Sequence, residues 1–387
     1  MTAIETQHPV QELVLDAMAA GTAVRVSGRS HWIDAGRPVT ATRIASLATH
    51  TGVVDYVPGD LTITVRSGTT LREIEEITLA NNQWFPLDPF GSLDGTIGAT
   101  IATGSFGPLA HAFGRVRDLV LGLEFVSGDG KLVRGGGKVV KNVAGFDLVR
   151  LVTGSWGTLG IVTEATLRLY SLPSPPVTLA LGAPDSVTAL GQRLNSVLDA
   201  PGIPFAIELI DADTAVLLGL PDKQQILVKL GGNSAGVAAQ RAAITALGGA
   251  REIDPSTWNR LRQLEEAIQN DSPDMEPPMV LRISTLPQNL PHVWNSARNV
   301  VAGIAGSGMH ATPALGIVRC ILPSSTPMSS VEQLLNWENV TVIFERLPSH
   351  EWARLSPSVV DDRLSRRLKA AFDPSGILNP GILGGET

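Results

Sequence analysis

The chain has 387 residues, of which 43% are hydrophobic, and this is enough for two or three domains with buried cores. Its formal net charge of −7 provides no basic field, so we expect no bulk binding to nucleic acid. Cys320 is its one cysteine, which excludes a disulfide framework or a cysteine-ligated iron–sulfur cluster within the chain, and we predict no metal site. Acidic residues near the start and the lack of a long apolar run predict a cytoplasmic protein without a membrane span.

The chain begins with a predicted helix and a short predicted strand. Residues 10–20 have apolar positions at helical spacing and end at Gly21, a favourable residue for helix termination. The following segment alternates like a strand until Ser27 and Gly28, where we predict a loop that lasts to Pro38.

Two β-branched runs and a helix are predicted next. The runs GVVDYVP and LTITVRSG are separated by turn residues, which predicts two strands joined by a turn. The segment TTLREIEEITLANN predicts a helix capped by Thr69 or Thr70. Its spacing is expected to place Leu71, Ile74 and Leu79 toward a core.

The composition changes twice in the rest of the chain. From Trp84 to Tyr170, glycine recurs every few residues among short strands and no long helical pattern is sustained. Three prolines within residues 171–177 then mark a predicted boundary between a domain of residues 1–172 and one of residues 173–387. Strand-like runs such as QQILVKLGG and ALGIVRCIL alternate there with helical ones such as SAGVAAQRAAITALGG, so we predict an α+β fold.

The glycine-rich segments do not match the two common phosphate-binding motifs. The residue after Lys138 is valine, where a P-loop requires serine or threonine. Gly154, Gly157 and Gly160 are spaced by three and lead into a strand, whereas a dinucleotide fingerprint leads into a helix. Both motifs are therefore excluded.

A loop-based binding mode remains. Glycines at 95, 98, 104 and 107 free the backbone of side chains, so we expect their N–H groups to converge on a pyrophosphate as an anion nest. The hydroxyls of Thr96, Thr103 and Ser105 are expected to add donors. The alternative is that these glycines only turn strands within an α+β sheet.

The order of three segments resembles a known cofactor domain. The segment VSGRSH, then PLDPFGSLDGTIGATIATGSFG, then GRVRDLV running through GSWGTLGIVTEATLRLY, resembles the FAD-binding domain of the vanillyl-alcohol oxidase family, also called the PCMH type. The resemblance covers roughly residues 5–172 and implies a two-part FAD-binding domain followed by a C-terminal α+β cap domain. The residues that it implies as FAD contacts are Ser27, Gly28, Arg29, Ser30, Pro89, Gly95, Thr96, Ile97, Gly98, Thr103, Gly104, Ser105, Gly160, Ile161 and Val162.

Within that family, the segments GKVVKNVAGFDLVRLVTGSWGTLGIVTEATLRL and RLKAAFDPSGILNPG look like those of glycolate oxidase subunits. The short length resembles the FAD-binding E type more than the catalytic D type, whose G-D-G-N-x-H motif is missing here. The segment nearest to that motif is GSGMHATPALGIVRC, which contains one histidine, His310. The resemblance implies a D-type catalytic flavoprotein partner, an iron–sulfur subunit, a small hydroxy acid substrate and a location held at the inner face of the membrane through partners.

Two alternatives stay open beside this interpretation. One is a self-sufficient FAD-dependent dehydrogenase for a small hydroxy acid, and the other is an assembly subunit without catalysis. His31 stands where glycolate oxidase chains have a small polar residue, which disfavours a covalent link to FAD.

Catalytic residues cannot be assigned from the sequence. Oxidation of a 2-hydroxy acid requires a cation for the carboxylate and a base for the hydroxyl proton. Candidates outside the FAD-binding domain are Arg282, His310, Arg319, Glu345 and Arg346, but no surrounding motif fixes a role for any of them.

Six further positions carry weaker expectations. Lys138, Lys141 and Asn142 face a flavin, a partner or solvent. Arg117 and Asp118 are expected to form a salt bridge that fixes a turn. The turn-rich tail FDPSGILNPG is expected to return to the cofactor domain, with Asn379 near the flavin.

Overall fold

The computed structural model describes residues 9–137, 146–268, 276–335, 337–355 and 362–384. Lys138, Lys141 and Asn142 lie outside these residues, so their expected roles are not tested. None of the helices in these ranges is long and apolar enough to cross a membrane.

The strands of the described residues form a five-stranded sheet, an eight-stranded sheet and two small pairs. In chain order they are β1 Val24–Ser27, β2 Arg43–Ser46, β3 Val53–Val57, β4 Thr62–Arg66, β5 Gln83–Trp84, β6 Val120–Val126, β7 Leu132–Gly136, β8 Ile161–Arg168, β9 Tyr170–Ser171, β10 Val177–Gly182, β11 Ala206–Ile210, β12 Gln225–Leu230, β13 Arg251–Ile253, β14 Met279–Ser284, β15 Gly308–Thr312, β16 Ile317–Leu322 and β17 Thr341–Arg346.

The α-helices precede, separate and follow these strands, and the fold is α+β as predicted. In chain order they are α1 Pro9–Ala19, α2 Leu71–Leu79, α3 Ile97–Thr103, α4 Ala110–Phe113, α5 Val116–Leu119, α6 Leu148–Val152, α7 Val187–Leu198, α8 Ala212–Leu217, α9 Ser234–Ala246, α10 Thr257–Arg262, α11 Leu264–Ile268, α12 Leu290–Val301, α13 Met328–Glu332, α14 Trp352–Leu355 and α15 Arg363–Phe372.

The five-stranded sheet has the order β3-β4-β8-β6-β7, and its neighbouring strands are antiparallel. Its strands are rich in β-branched and aromatic residues, which pack well on a pleated surface. Ile63, Phe125 and Leu167 are fully buried on it and belong to one core with Ile74 of α2. This core holds α3 and the start of β8 in place, and both border the cavity described below.

The eight-stranded sheet has the order β13-β10-β12-β11-β15-β16-β14-β17 and is antiparallel throughout. Alternate residues of a strand point to opposite faces. One face is apolar and packs on α7, α9 and α12, with Trp294 fully buried there. The other face carries His310, Arg319 and Arg282 in one row, because His310 pairs with Arg319 and Arg319 pairs with Arg282.

A bulge in β17 adds a carboxylate beside this row. Arg346 pairs with Val280 and Phe344 pairs with Leu281, so Glu345 is the extra residue between them. A bulge bends its strand and re-aims a side chain. Gly36, in the loop after β1, donates its N–H to the Glu345 carbonyl over 2.9 Å, which joins that loop to the sheet.

Most elements expected from the sequence are confirmed, including α1, α2 and its Thr70 cap, β3, β4, β12, α9 and β16. The expectation for Leu79 is wrong, since its side chain is 43% exposed. Thr78 is buried in its place, because residues 71, 74 and 78 share one helical face. Helix α3 is also a correction, since no helix was expected within the second glycine-rich segment.

The tail returns to the beginning of the chain, as expected. Leu378 forms a bridge with Val24 of β1, and Ile377 and Leu378 are buried in a small core with Val14 and Ile161. The division into residues 1–172 and 173–387 stays a prediction, and β10 begins at the end of the predicted boundary segment.

Candidate active site

The first of two adjoining cavities lies between the loop after β1, helix α3 and the start of β8. Thirteen of the fifteen residues that the family resemblance implied as FAD contacts line it. They are Ser27, Gly28, Arg29, Ser30, Pro89, Gly95, Thr96, Gly98, Thr103, Ser105, Gly160, Ile161 and Val162.

The other two residues lie elsewhere. The side chain of Ile97 is fully buried in the core of the five-stranded sheet, because the first turn of α3 points it away from the cavity. Gly104, which ends α3, lines the second cavity described below.

The anion nest expected from the second glycine-rich segment is not formed. Its N–H groups donate to backbone carbonyls, which removes them as donors for a phosphate: Gly95 to Ser92, Ile97 to Thr69, Gly98 to Ser67, Gly104 to Ile101 and Ser105 to Thr100. Gly98 is required by protein packing, since a Cβ there would lie 2.7 Å from Ser67 Cβ. A turn, two contacts with residues 67 and 69, and the end of α3 thus use the donors that an open loop would have left free.

The loop after β1 keeps its donors open. Among the described residues, the N–H groups of Arg29, Ser30 and His31 donate to no backbone carbonyl. The Oγ atoms of Ser27 and Ser67 are buried at the same cavity without a hydrogen-bond partner. Buried hydroxyls are normally paired, so these two point to a polar ligand.

Gly28 brings this loop against α3. A Cβ at position 28 would lie 2.3 Å from Thr96 Oγ1, so a larger residue would push the loop off the helix cap. The arrangement offers backbone N–H groups, two unpaired hydroxyls and the exposed cation of Arg29 around one elongated space. These groups fit the pyrophosphate and sugar hydroxyls of FAD.

Asn379 fastens the tail to this cavity, which it also lines. Its Oδ1 accepts the N–H of Val26 over 2.8 Å, and its Nδ2 donates to the carbonyl of Trp156 over 2.7 Å. The side chain therefore holds β1 and the turn before β8 at a fixed separation. The tail takes part in shaping the cavity wall, as the sequence suggested.

The second cavity lies between the first cavity and the polar face of the eight-stranded sheet. The two cavities have a common wall, since six residues line both: Trp32, Phe90, Thr103, Ser105, Trp156 and Ile382. A cofactor that reaches from the first cavity to this wall would meet a substrate in the second.

Four of the five candidates from the C-terminal half line the second cavity, namely Arg282, His310, Arg319 and Glu345. Arg346 lies behind them and lines a separate cavity. Three more arginines line the second cavity, and they were not expected there from the sequence: Arg37, Arg115 and Arg117.

The arginines differ in how far they are neutralised. Glu265 of α11 is buried between Arg319 Nη2 at 2.5 Å and Arg346 Nη1 at 2.7 Å. Burial alone would raise the pKa of Glu265, but the two guanidinium groups hold it below its ordinary value. Glu345 lies 2.9 Å from Arg319 and 3.7 Å from Arg282. Arg319 is thus fully paired, whereas Arg282 has one distant carboxylate and a buried Nε without a hydrogen bond.

Arg115 is the second incompletely paired cation of this cavity. Its guanidinium lies 4.8 Å from the centre of the Phe106 ring. Burial lowers the pKa of Arg115, and the positive charges of Arg282 and Arg117 lower it further. An anion bound between these guanidinium groups would relieve their repulsion.

The expected Arg117–Asp118 salt bridge is present but long, with 4.0 Å between Nε and Oδ1. The shorter contact of Asp118 is to the backbone N–H of Arg115, which its Oδ2 accepts over 2.9 Å. Asp118 therefore fixes the start of α5 and with it the approach of Arg115 to the cavity.

His310 of the lining is paired with a buried carboxylate behind it, Glu208. His310 Nδ1 lies 2.9 Å from Glu208 Oε2, and the other oxygen of Glu208 accepts the hydroxyl of Thr312. The His310 side chain is 2% exposed and that of Glu208 is fully buried. His310 Nε2 has no hydrogen-bond partner among the residues that the structure describes, and the Phe90 ring lies 4.7 Å from the imidazole ring.

Sequence reasoning did not single out Glu208, Glu265, Trp32 or Phe90. Trp32 and Phe90 line both cavities, whereas Glu208 and Glu265 lie behind the lining, in contact with His310 and with Arg319. Strand register and loop packing between distant segments bring these residues together. The available signal was one ionisable residue within each of two apolar strand segments, Glu208 in AIELI and His310 in GMHAT.

Comparison with known proteins identifies two family segments. Residues 2–136 match the FAD binding domain family, and residues 349–383 match the C-terminal domain of FAD linked oxidases. The chain is 29% identical to the glycolate oxidase subunit GlcE of Escherichia coli K12, over 97% of this chain and 96% of that one. It is 29% identical to the glycolate oxidase subunit GlcD of Bacillus subtilis 168, over 83% of this chain and 75% of that one.

A solved structure of alkyldihydroxyacetonephosphate synthase has a similar fold, with a TM-score of 0.70 at 18% identity. The match covers 96% of this chain and 74% of that chain. At this identity the likeness concerns the fold alone.

Proposed function

Because the chain belongs to the FAD-linked oxidases of the PCMH type and is an FAD-dependent oxidoreductase, we propose that it oxidises the CH–OH group of a small 2-hydroxy acid. In this proposal it does so at its own flavin, as a subunit of a glycolate oxidase complex. The observation that carries the proposal is the arginine-lined second cavity, which shares a wall with the cavity that fits FAD.

The proposal assigns FAD to the first cavity. Residues 27–30 would hold the pyrophosphate, with Arg29 as the cation, and residues 160–162 would present backbone to the adenine. Pro89 and α3 would border the part of the cofactor nearest the common wall. When bound, FAD supplies an acceptor for a hydride, that is, for one hydrogen and two electrons from the substrate carbon.

The second cavity would hold the substrate carboxylate. Arg282 and Arg115 are the cations with unused hydrogen-bonding capacity, and a guanidinium binds a carboxylate through two parallel hydrogen bonds. Arg319 is already bound by Glu265 and Glu345, so its part is to keep Glu345 in place. A bound carboxylate would position the adjacent hydroxyl carbon toward the common wall.

The common wall would orient the reacting groups and exclude water. Trp32, Phe90 and Trp156 supply three aromatic rings there. Phe90 lies against two side chains of the sheet, with its ring centre 4.7 Å from the His310 ring and 4.4 Å from the Arg319 guanidinium. Exclusion of water strengthens the electrostatic contacts inside such a site.

Electrons would leave the flavin through partner subunits. Cys320 is the one cysteine in the sequence, so a cysteine-ligated iron–sulfur cluster must be provided in trans. The glycolate oxidase subunit names of two relatives support a complex. In this proposal the partners are a D-type flavoprotein and an iron–sulfur subunit, and they hold the chain at the cytoplasmic face of the membrane.

The experiment is an anaerobic absorbance titration of the purified chain with glycolate, D-lactate and L-lactate. We expect a yellow protein that releases FAD on acid precipitation and whose flavin is bleached by at least one of these acids. A flavin that bleaches only after a D-type subunit is added would assign oxidation to the partner. A chain that assembles with its partners but retains no flavin would instead indicate the assembly role.

A further inference from the structure

His310 is held in one orientation by groups on two neighbouring strands. Glu208 on β11 lies opposite Thr312 on β15, and Ile210 lies opposite His310 in the same pairing. The two oxygens of Glu208 are thereby shared between Thr312 Oγ1 and His310 Nδ1. Since both side chains of the Glu208–His310 pair are buried, water does not compete for this contact.

This contact decides which ring nitrogen is available. A carboxylate has no donor, so a hydrogen bond between Glu208 and Nδ1 requires the proton to be on Nδ1. A neutral imidazole then carries its lone pair on Nε2. Nε2 is the atom without a partner, and the ring lines the substrate cavity. The chain therefore presents one buried basic nitrogen toward the place where the proposed substrate would bind.

We propose that His310 accepts the hydroxyl proton of the substrate and that Glu208 is its positioning residue. This inference rests on the proposed function and adds the base that the sequence did not identify. The alcohol O–H bond breaks as the carbonyl forms, and its proton goes to Nε2. The hydrogen of the C–H bond leaves as a hydride, for which bound FAD would be the acceptor. The products are a 2-oxo acid and an imidazolium.

The imidazolium is stabilised where it forms. Glu208 is the nearest anion, at 2.9 Å from Nδ1, and no other cation forms an ion pair with it among the described residues. Further charges face the pair from the neighbouring elements: Arg319 on β16 lies opposite His310, while Asp88 and His111 lie on the side of the FAD-binding segment. The aromatic ring of Phe90 covers the imidazole toward the common wall.

Two variants of the full chain, loaded with FAD, test the assignment. Anaerobic stopped-flow measures flavin reduction by the acid that reduces the unmodified chain fastest. We expect His310→Gln to lower the limiting rate by about a hundredfold or more, the usual contribution of a general base. Glu208→Gln should lower it by roughly tenfold, because a neutral amide stabilises the imidazolium less than a carboxylate. Substrate affinity should change little in either variant, since the carboxylate contacts remain.

A control and a second readout separate catalysis from folding. His292→Gln removes an exposed histidine of α12 that lines neither cavity, and it should leave the rate unchanged. Nitrogen NMR of the labelled histidines, with the His310→Gln spectrum as the assignment, should show Nδ1 protonated and Nε2 unprotonated for neutral His310 in the unmodified chain. This readout does not depend on turnover, and the spectrum that answers the question is that of the unmodified chain.

The outcomes are distinguishable. A His310→Gln chain that retains FAD and is reduced at the unmodified rate overturns the assignment, as does a neutral His310 protonated on Nε2. If no hydroxy acid reduces the unmodified chain, alone or with partners, the proposed function fails and the proton acceptor role fails with it. The positioning role of Glu208 is then still decided by the NMR spectrum.

Discussion

Replacement of Glu265 by glutamine tests the charge network behind the second cavity. Glu265 is 6% exposed and forms two ion pairs, with Arg319 at 2.5 Å and Arg346 at 2.7 Å. Removing one partner of a buried ion pair costs about 3–5 kcal/mol of unfolding free energy. Arg319 keeps Glu345 at 2.9 Å and Arg346 keeps Asp34 at 2.7 Å, so we expect the lower end, about 3 kcal/mol.

The assay is urea unfolding at neutral pH, followed by tryptophan fluorescence and circular dichroism so that coincident transitions establish two-state behaviour. The matched control is Glu252→Gln, which breaks the exposed pair with Arg241, with side chains 49% and 54% exposed. An exposed pair contributes about 0–1 kcal/mol. If Glu265→Gln destabilised the chain no more than Glu252→Gln, the network would not be what holds β16, β17 and α11 together.

Three further predictions concern pH, substrate binding and packing. Burial raises the pKa of Asp88 to about 7, so protonated Asp88 favours the folded state. This contribution to the free energy of unfolding is fully present below the ordinary aspartate pKa near 3.9, and it is lost as the pH rises through 7. Asp88→Asn should therefore gain roughly 2 kcal/mol of unfolding free energy relative to the unmodified chain between pH 5 and pH 7, and parallel stability curves over that range would contradict this. Arg282→Met should raise the KM for the hydroxy acid about tenfold or more and leave the flavin spectrum unchanged, because a hydrogen bond to a charged group contributes about 1.5–3 kcal/mol; an unchanged KM would remove Arg282 from the substrate site. Gly98→Val should lower the melting temperature as well as FAD retention, since its side chain would meet Ser67 within the protein; loss of FAD at an unchanged melting temperature would restore the sequence-based view that this glycine serves the cofactor alone.

The sequence was informative where local chemistry decides structure. The Thr70 cap, the turn at Pro58 and the alternating run of β8 each follow from residues within a few positions of one another. The resemblance to a known cofactor domain selected thirteen residues that line one cavity. Signals of this kind need no knowledge of distant contacts.

The sequence was less informative where distant segments meet. The neighbourhood of His310, Arg319 and Arg282 depends on the register of three strands, and the position of Glu345 depends on a bulge. The pairing of Glu208 with His310 spans about a hundred residues of sequence. Gly98 was expected to be required by a cofactor for a related reason. The contact that requires a glycine there is to Ser67, thirty-one residues earlier in the sequence.

The most direct test of the central claim is a comparison of glycolate with glycolate deuterated at C2 in anaerobic stopped-flow reduction of the purified chain. The expected result is that the chain's own flavin is reduced, and more slowly by the deuterated acid, because the C–H bond is broken at this site. A FAD-loaded chain whose flavin stays oxidised with glycolate and with both lactates, with or without its partner subunits, would contradict the account.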